Sequence, residues 1–253
     1  MILMAAFEST PAISGAPDPA AYPQGPVTEN LARVRDRIAE AARRAGRRPE
    51  EVRLVAVSKR QPAAKVLEAY AAGHRLFGEN YVQEALAKME QVPGDAHWHL
   101  IGHLQTNKAK LAVGRFACIE TVDSPKAARA IGQRAAAAGS LQEVLVQVNW
   151  SQEASKAGVT GEGALRAMFD ELAGLEALRV RGLMTIPDPN DAERELRGLF
   201  GQMRGLLESL RGEFGLGAEF GELSMGMSHD YPWAIEEGAT LVRVGTAIFG
   251  ARS

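Results

Sequence analysis

Residues 54–59 read Leu-Val-Ala-Val-Ser-Lys, and a helical pattern opens three residues later at Pro62. Four apolar residues without alternation suit a strand buried on both faces, and parallel sheets are built from such strands. The lysine falls where that strand ends. Burial at such a place lowers a lysine's pKa, and a neutral amine can condense with an aldehyde to form a Schiff base. Taken singly, a lysine at a strand end is more often a solvated charge. The rest of the chain decides between the two readings.

The same unit recurs along the sequence. Apolar runs at 52–58, 75–78, 98–102, 116–122, 144–149, 180–186, 223–227 and 241–244 are candidate strands, separated by helical patterns such as 64–72, 81–90, 124–138 and 190–214. Ser124-Pro125 gives one helix a cap and a first-turn proline. The longest carries Leu196, Leu199, Phe200, Met203, Leu206, Leu207 and Leu210 on one stripe. Strand–helix alternation implies a parallel sheet with right-handed crossovers. Eight such strands favour an α/β fold closed into a single TIM-type (β/α)8 barrel, with an open doubly wound sheet as the alternative.

A further helix is expected ahead of the first strand. Thr28 reads as its N-cap, Leu31, Val34, Ile38 and Ala41 fall at helical spacing, and Gly46 is its stop. Its arginines (Arg33, Arg35, Arg37, Arg43, Arg44) read as a solvated face shared with Asp36 and Glu40. Residues 245–253 are too few for a full closing helix, so this N-terminal helix is expected to cover that gap in the outer ring. Residues 1–27, rich in Pro, Ala, Gly and Ser, read as a disordered tail ahead of one barrel domain over 28–253.

Hydrophobic residues at 46% and charged residues at 24% are ordinary globular values and allow a full core. A net charge of −2 gives no electrostatic case for nucleic-acid binding. The only cysteine, Cys118, lies in the apolar run 116–119, where it cannot form an intramolecular disulfide and reads as core. No apolar stretch reaches membrane-span length, and the start MILMAAFES is a poor signal peptide. The expectation is a cytoplasmic monomer without nucleic-acid or membrane partners.

In a barrel, function gathers at the carboxyl ends of the strands. Those ends hold Ser58-Lys59, Gly78-Glu79-Asn80-Tyr81, Gly102-His103, Asn149, Gly182 to Thr185, Ser224 to Ser228, Arg243 and Gly245-Thr246. Gly245 lets the backbone approach a ligand closely, and free amides after a strand can cradle an anion, with Ser224 and Gly226 on the neighbouring strand. The alternative is that these glycines only permit tight turns. Arg243 is either an always-charged donor in the barrel mouth or the ion-pair partner of Glu79. His97 and His99 share a strand face, but carboxylates or thiols at ligand spacing are missing and a metal site is rejected. Ser228-His229-Asp230 are contiguous, which suits the turn and N-cap of a helix from Pro232 better than a catalytic triad.

With these residues in place, the chain from about Thr28 to Arg252 resembles the pyridoxal phosphate homeostasis family. The motifs are LVAVSK (54–59), FGENYVQE (77–84), WHLIGHLQTNK (98–108), RGLMTIP (181–187), LSMGMS (223–228) and VRVGTAIFG (242–250). The resemblance implies a barrel like the N-terminal domain of alanine racemase, carrying pyridoxal 5′-phosphate (PLP) as a Schiff base on Lys59. It implies that Ser224, Gly245 and Thr246 hold the phosphate beside Gly226, that Arg243 faces the pyridine nitrogen, and that Asn80 lines the pocket. A guanidinium at that nitrogen disfavours its protonation and weakens the cofactor as an electron sink.

The implied function is intracellular PLP homeostasis, storing or delivering the cofactor to PLP-requiring apoenzymes without catalysis. The alternative is an amino-acid racemase. Racemases of this fold use two opposed bases, one a tyrosine from a second domain. This chain ends at Ser253 after the barrel, which leaves Tyr81 and Tyr231 as candidates. An enzyme acting on a phosphorylated metabolite would use the phosphate nest but leave Lys59 without a role. Glu84, Gln105, Asn107 and Lys108 are either a partner surface or solvated helix starts.

Overall fold

Eight parallel strands close into a barrel in chain order: β1 (Arg53–Val57), β2 (Leu76–Glu79), β3 (His97–Leu100), β4 (Cys118–Val122), β5 (Gln142–Val148), β6 (Leu178–Thr185), β7 (Glu222–Ser224) and β8 (Leu241–Val244). Closure runs through β1 and β8, with Arg53 opposite Leu241 and Ala56 opposite Val244. The structure, a computed structural model, describes residues 25–150, 157–188 and 190–251. The helices are α1 (Pro26–Arg44), α2 (Ala63–Ala71), α3 (Val82–Met89), α4 (Ala109–Ala112), α5 (Pro125–Ala137), α6 (Glu162–Ala173), α7 (Glu193–Glu213), α8 (Tyr231–Glu236) and α9 (Thr246–Phe249).

Alternation along each strand sorts side chains into two cores. Leu54 and Ala56 join the large outer core between barrel and helices. Val55 joins a small inner core with Cys118, Leu145, Met184 and Leu241. Both faces of β1 are therefore apolar, and the same parity carries Val57 and Lys59 to the inner side at the carboxyl end. Cys118 is core, as expected, and burial pushes its thiol pKa well up.

Every apolar run corresponds to a strand. The largest difference is at β7, which ends at Ser224 and not at Met227. Gly226 has a φ of +91°, and a Cβ there would stand 2.6 Å from that of Ala234, so the chain turns out of the sheet where only glycine fits. The helix expected from Pro232 starts one residue earlier, at Tyr231. Ser124 caps α5 by accepting from the Ala127 amide at 3.3 Å.

Helix α1 fills the gap left by the four-residue α9. It packs on α8, α9 and α2, and Asn30 Nδ2 donates to the Ile248 carbonyl at 2.9 Å. Its start differs from the expected Thr28: the helix begins at Pro26, with Gly25 as N-cap. The cap is tertiary. Glu68 on α2 accepts from the Val27 amide at 2.7 Å and the Thr28 amide at 3.2 Å. A carboxylate at a helix start satisfies orphan donors and complements the dipole. Of the expected tail, residues 25–27 belong to this helix and its cap, and residues 1–24 lie outside the described residues.

Glu68 is 8% exposed, so its loss strands two amides that water reaches poorly. Glu68→Ala is expected to cost about 1–2 kcal/mol, read from denaturant unfolding. An unchanged midpoint contradicts the tertiary cap.

Candidate functional site

Lys59 follows β1 directly and is half-buried, and the turn that carries it is clamped from the outer side of the barrel. Arg60 takes a left-handed φ of +56°, a conformation a non-glycine residue keeps only where its surroundings impose it. Here the Arg60 amide donates to Glu84 Oε1 at 2.5 Å. Lys88 on α3, itself buried, brings its ammonium to the Ser58 carbonyl at 2.6 Å, Glu79 Oε1 at 2.6 Å and Glu84 Oε1 at 2.7 Å. Ser58 Oγ also donates to Glu79 Oε1, at 2.7 Å. Three acceptors use all three ammonium protons. Burial raises the Glu79 carboxyl pKa, opposed by the hydrogen bonds from Lys88 and Ser58. Glu84 thus belongs to this clamp.

At the carboxyl ends of the strands opens a cavity of about 400 Å³, a size that suits a small cofactor. Lys59, Asn80, Arg243, Gly245 and Thr246, all expected site residues, line it. Val57, Ile101, Ile186 and Met227 add apolar wall. A Cβ on Gly245 would come within 3.1 Å of the Val57 carbonyl oxygen, so the residue permits a close crossing of β1 and the segment after β8. The Asn80 side-chain oxygen is buried without a hydrogen-bond partner. A second cavity of about 310 Å³ shares Asn80, Ile101 and Ile186 with the first and continues to His103, Thr121 and Asn149.

Two expected residues are not on the wall. Ser224 is fully buried; its hydroxyl lies 2.5 Å from Glu120 Oε2 and accepts from Arg243 Nη1 at 2.6 Å. Gly226 packs against Tyr231 and Ala234. Because the chain bends at Gly226, the serine that reaches the cavity is Ser228, whose Oγ accepts from the Gly245 amide at 3.3 Å. His229 beside it also lines the wall. Tyr231 is fully buried and Tyr81 is exposed on the rim; neither lines this cavity.

Arg243 is 4% exposed and does not pair with Glu79. Its Nη2 donates to the Thr185 carbonyl at 2.7 Å. Burial lowers its pKa, and the charges of Glu120 and Asp230 oppose that. Glu120 sits across the barrel on β4, fully buried, with His99 Nδ1 2.6 Å from its Oε1. Burial opposes its ionisation, yet the bond from His99, the charges of His99 and Arg243 and the bond from Ser224 hold its carboxyl below the ordinary range. Sequence reasoning missed Glu120, although an acid inside the run Cys118-Ile119-Glu120-Thr121-Val122 is a signal, since lone carboxylates are almost never fully buried.

The family described as alanine racemase, N-terminal domain, matches residues 30–253. A Pseudomonas aeruginosa protein named pyridoxal phosphate homeostasis protein is 46% identical over 227 residues, spanning 89% of this chain and 96% of that one. An Escherichia coli protein of the same name is 43% identical over 235 residues, spanning 89% and 97%. Among solved structures, PipY of Synechococcus elongatus with PLP bound is similar at TM-score 0.78 and 40% identity, covering 88% of this chain and 100% of that chain.

The clamp behind Lys59 is testable on its own. Lys88→Met keeps the volume and removes the charge, leaving Glu79 buried without its counter-ion, at an expected cost of about 3–5 kcal/mol. Adding Glu79→Gln should restore part of that loss in the same unfolding assay. Lys88→Met with wild-type stability contradicts the clamp.

Proposed function

We propose a cofactor-holding function from the premise that this chain belongs to the alanine racemase N-terminal domain family and, within it, to the pyridoxal phosphate homeostasis proteins. The chain binds pyridoxal 5′-phosphate in the cytoplasm, keeps it on Lys59 and yields it to PLP-requiring apoenzymes. One observation carries this reading: a single cavity joins a lysine amine, a glycine-permitted backbone crossing with a serine hydroxyl, and a buried guanidinium.

The donor set fits that cofactor. When bound, PLP supplies an aldehyde carbon that the Lys59 amine takes up as a Schiff base. Ser228, Gly245 and Thr246 hold the phosphate, with the Ser228 hydroxyl in the place expected for Ser224. Arg243 presents its remaining N–H groups to the ring nitrogen and, being always charged, keeps that nitrogen unprotonated. Asn80 lines the same cavity beside Lys59. Apolar Ile101, Ile186 and Met227 exclude water from the ring faces.

A carrier is favoured over a racemase. Relatives at 41–46% identity bear the homeostasis name. Proton transfer on two faces needs a second base, and the two tyrosines considered for it stand off the cavity wall.

Borohydride reduction of the PLP-loaded protein should fix the cofactor to the peptide containing Lys59, read by mass; attachment elsewhere, or none, removes Lys59 from this role. Arg243→Lys keeps the charge and loses the fork, and should weaken PLP retention roughly ten- to hundredfold. Unchanged retention excludes Arg243 from the site. Loss of optical rotation with any amino acid, abolished in Lys59→Ala, would establish the racemase instead.

A further inference from the structure

The polar groups behind Arg243 form one continuous chain across the barrel interior, and their proton directions are forced. A guanidinium only donates, so the Ser224 hydroxyl must accept from Arg243 Nη1 at 2.6 Å. A hydroxyl has one proton and two lone pairs, and Glu120, held ionised by its partners, can only accept, so that proton goes to Glu120 Oε2 at 2.5 Å. Glu120 accepts it as a carboxylate, and its other oxygen accepts from the N–H at His99 Nδ1 at 2.6 Å. All four side chains are buried: Ser224 and Glu120 at 0% exposure, His99 and Arg243 at 4%. The chain starts on β3 and β4 and ends on β7 and β8, on the opposite side of the closed sheet. The Arg243 guanidinium and the Glu120 carboxylate are thereby joined through a single hydroxyl.

This strut has a directional consequence. Nη1 is held by Ser224 on β7 and Nη2 by the Thr185 carbonyl on β6, so the guanidinium plane is fixed by two strands. Asp230 is the other buried acid whose charge Arg243 feels, but one of its oxygens accepts from the Met227 amide and it makes no hydrogen bond to the guanidinium. Resting on the PLP reading above, we propose that Glu120, acting through Ser224 and steadied by His99, is the positioning residue that aims Arg243 at the ring nitrogen and so sets how the cofactor ring is held.

Glu120→Gln removes the balancing charge, and whichever way the amide faces, one of Ser224 and His99 loses its carboxylate partner. Ser224→Ala cuts the chain without placing a new charge, and Ser224→Thr restores the hydroxyl. The experiment adds PLP to each purified protein and reads the dissociation constant and the absorbance maximum of the bound form.

Glu120→Gln is expected to raise the dissociation constant about tenfold or more and to move the maximum, since losing one hydrogen bond to a charged group is worth roughly a factor of ten to a hundred. Ser224→Ala should shift both readouts the same way, and Ser224→Thr should recover them. A purely structural role would lower the unfolding midpoint and leave the maximum of the bound form in place. Wild-type affinity and maximum in both Glu120→Gln and Ser224→Ala overturn the proposal. If Glu120→Gln fails to fold, the two Ser224 variants decide alone. A wild-type protein that takes up no PLP overturns the underlying cofactor reading, and this proposal with it.

Discussion

An arginine is charged at every pH a cell reaches, and this fold seats one inside a closed eight-stranded barrel. Taking a lone cation out of water costs several kcal/mol unless a partner with good geometry offsets it. That constraint dictates residue types on four other strands: an acid on β4, a histidine on β3 to hold it, a hydroxyl on β7 to relay the charge, and a free carbonyl at the end of β6. Two residues earlier on their strands, Cys118 and Leu241 belong to the apolar plug that barrels ordinarily carry throughout. The interior thus changes from apolar to ionic just beneath the cavity, and Arg243 is the member that reaches it.

The outer side of the barrel repeats the principle around Lys59. There a buried ammonium, Lys88, rather than a guanidinium, joins the end of β1 to the end of β2 and to α3. Its bonds to the Ser58 carbonyl and to Glu84, which also takes the Arg60 amide, hold a left-handed turn that a free chain would seldom adopt. Two amino groups therefore stand near the end of β1 with different fates. Lys88 is consumed by the clamp, and Lys59, on the inner parity of the strand, reaches the cavity.

Much of this was legible in the sequence. Two-sided burial enriches a strand in apolar residues, so each of the eight strands overlaps an apolar-rich run of the sequence, and the stripe Leu31, Val34, Ile38, Ala41 marks α1 ahead of them. Lys59, Asn80, Arg243, Gly245 and Thr246 were legible because a barrel places every strand's carboxyl end on one rim. What stayed hidden depends on contacts between distant segments. The start of α1 is set by Glu68, 41 residues from the first amide it caps. Ser224 and Ser228 look equivalent until the bend at Gly226 turns one inward and leaves the other on the wall. Glu120 has its meaning only through Ser224, 104 residues away.

PLP joined to Lys59 in this cavity would carry an optical signature of its own. Absorbance spectra of the wild type and Lys59→Ala, each mixed with PLP and freed of excess cofactor, test it most directly. A new absorption band should stay with the wild-type protein and be absent from a folded Lys59→Ala. Identical spectra from the two proteins, whether both coloured or both colourless, would contradict it.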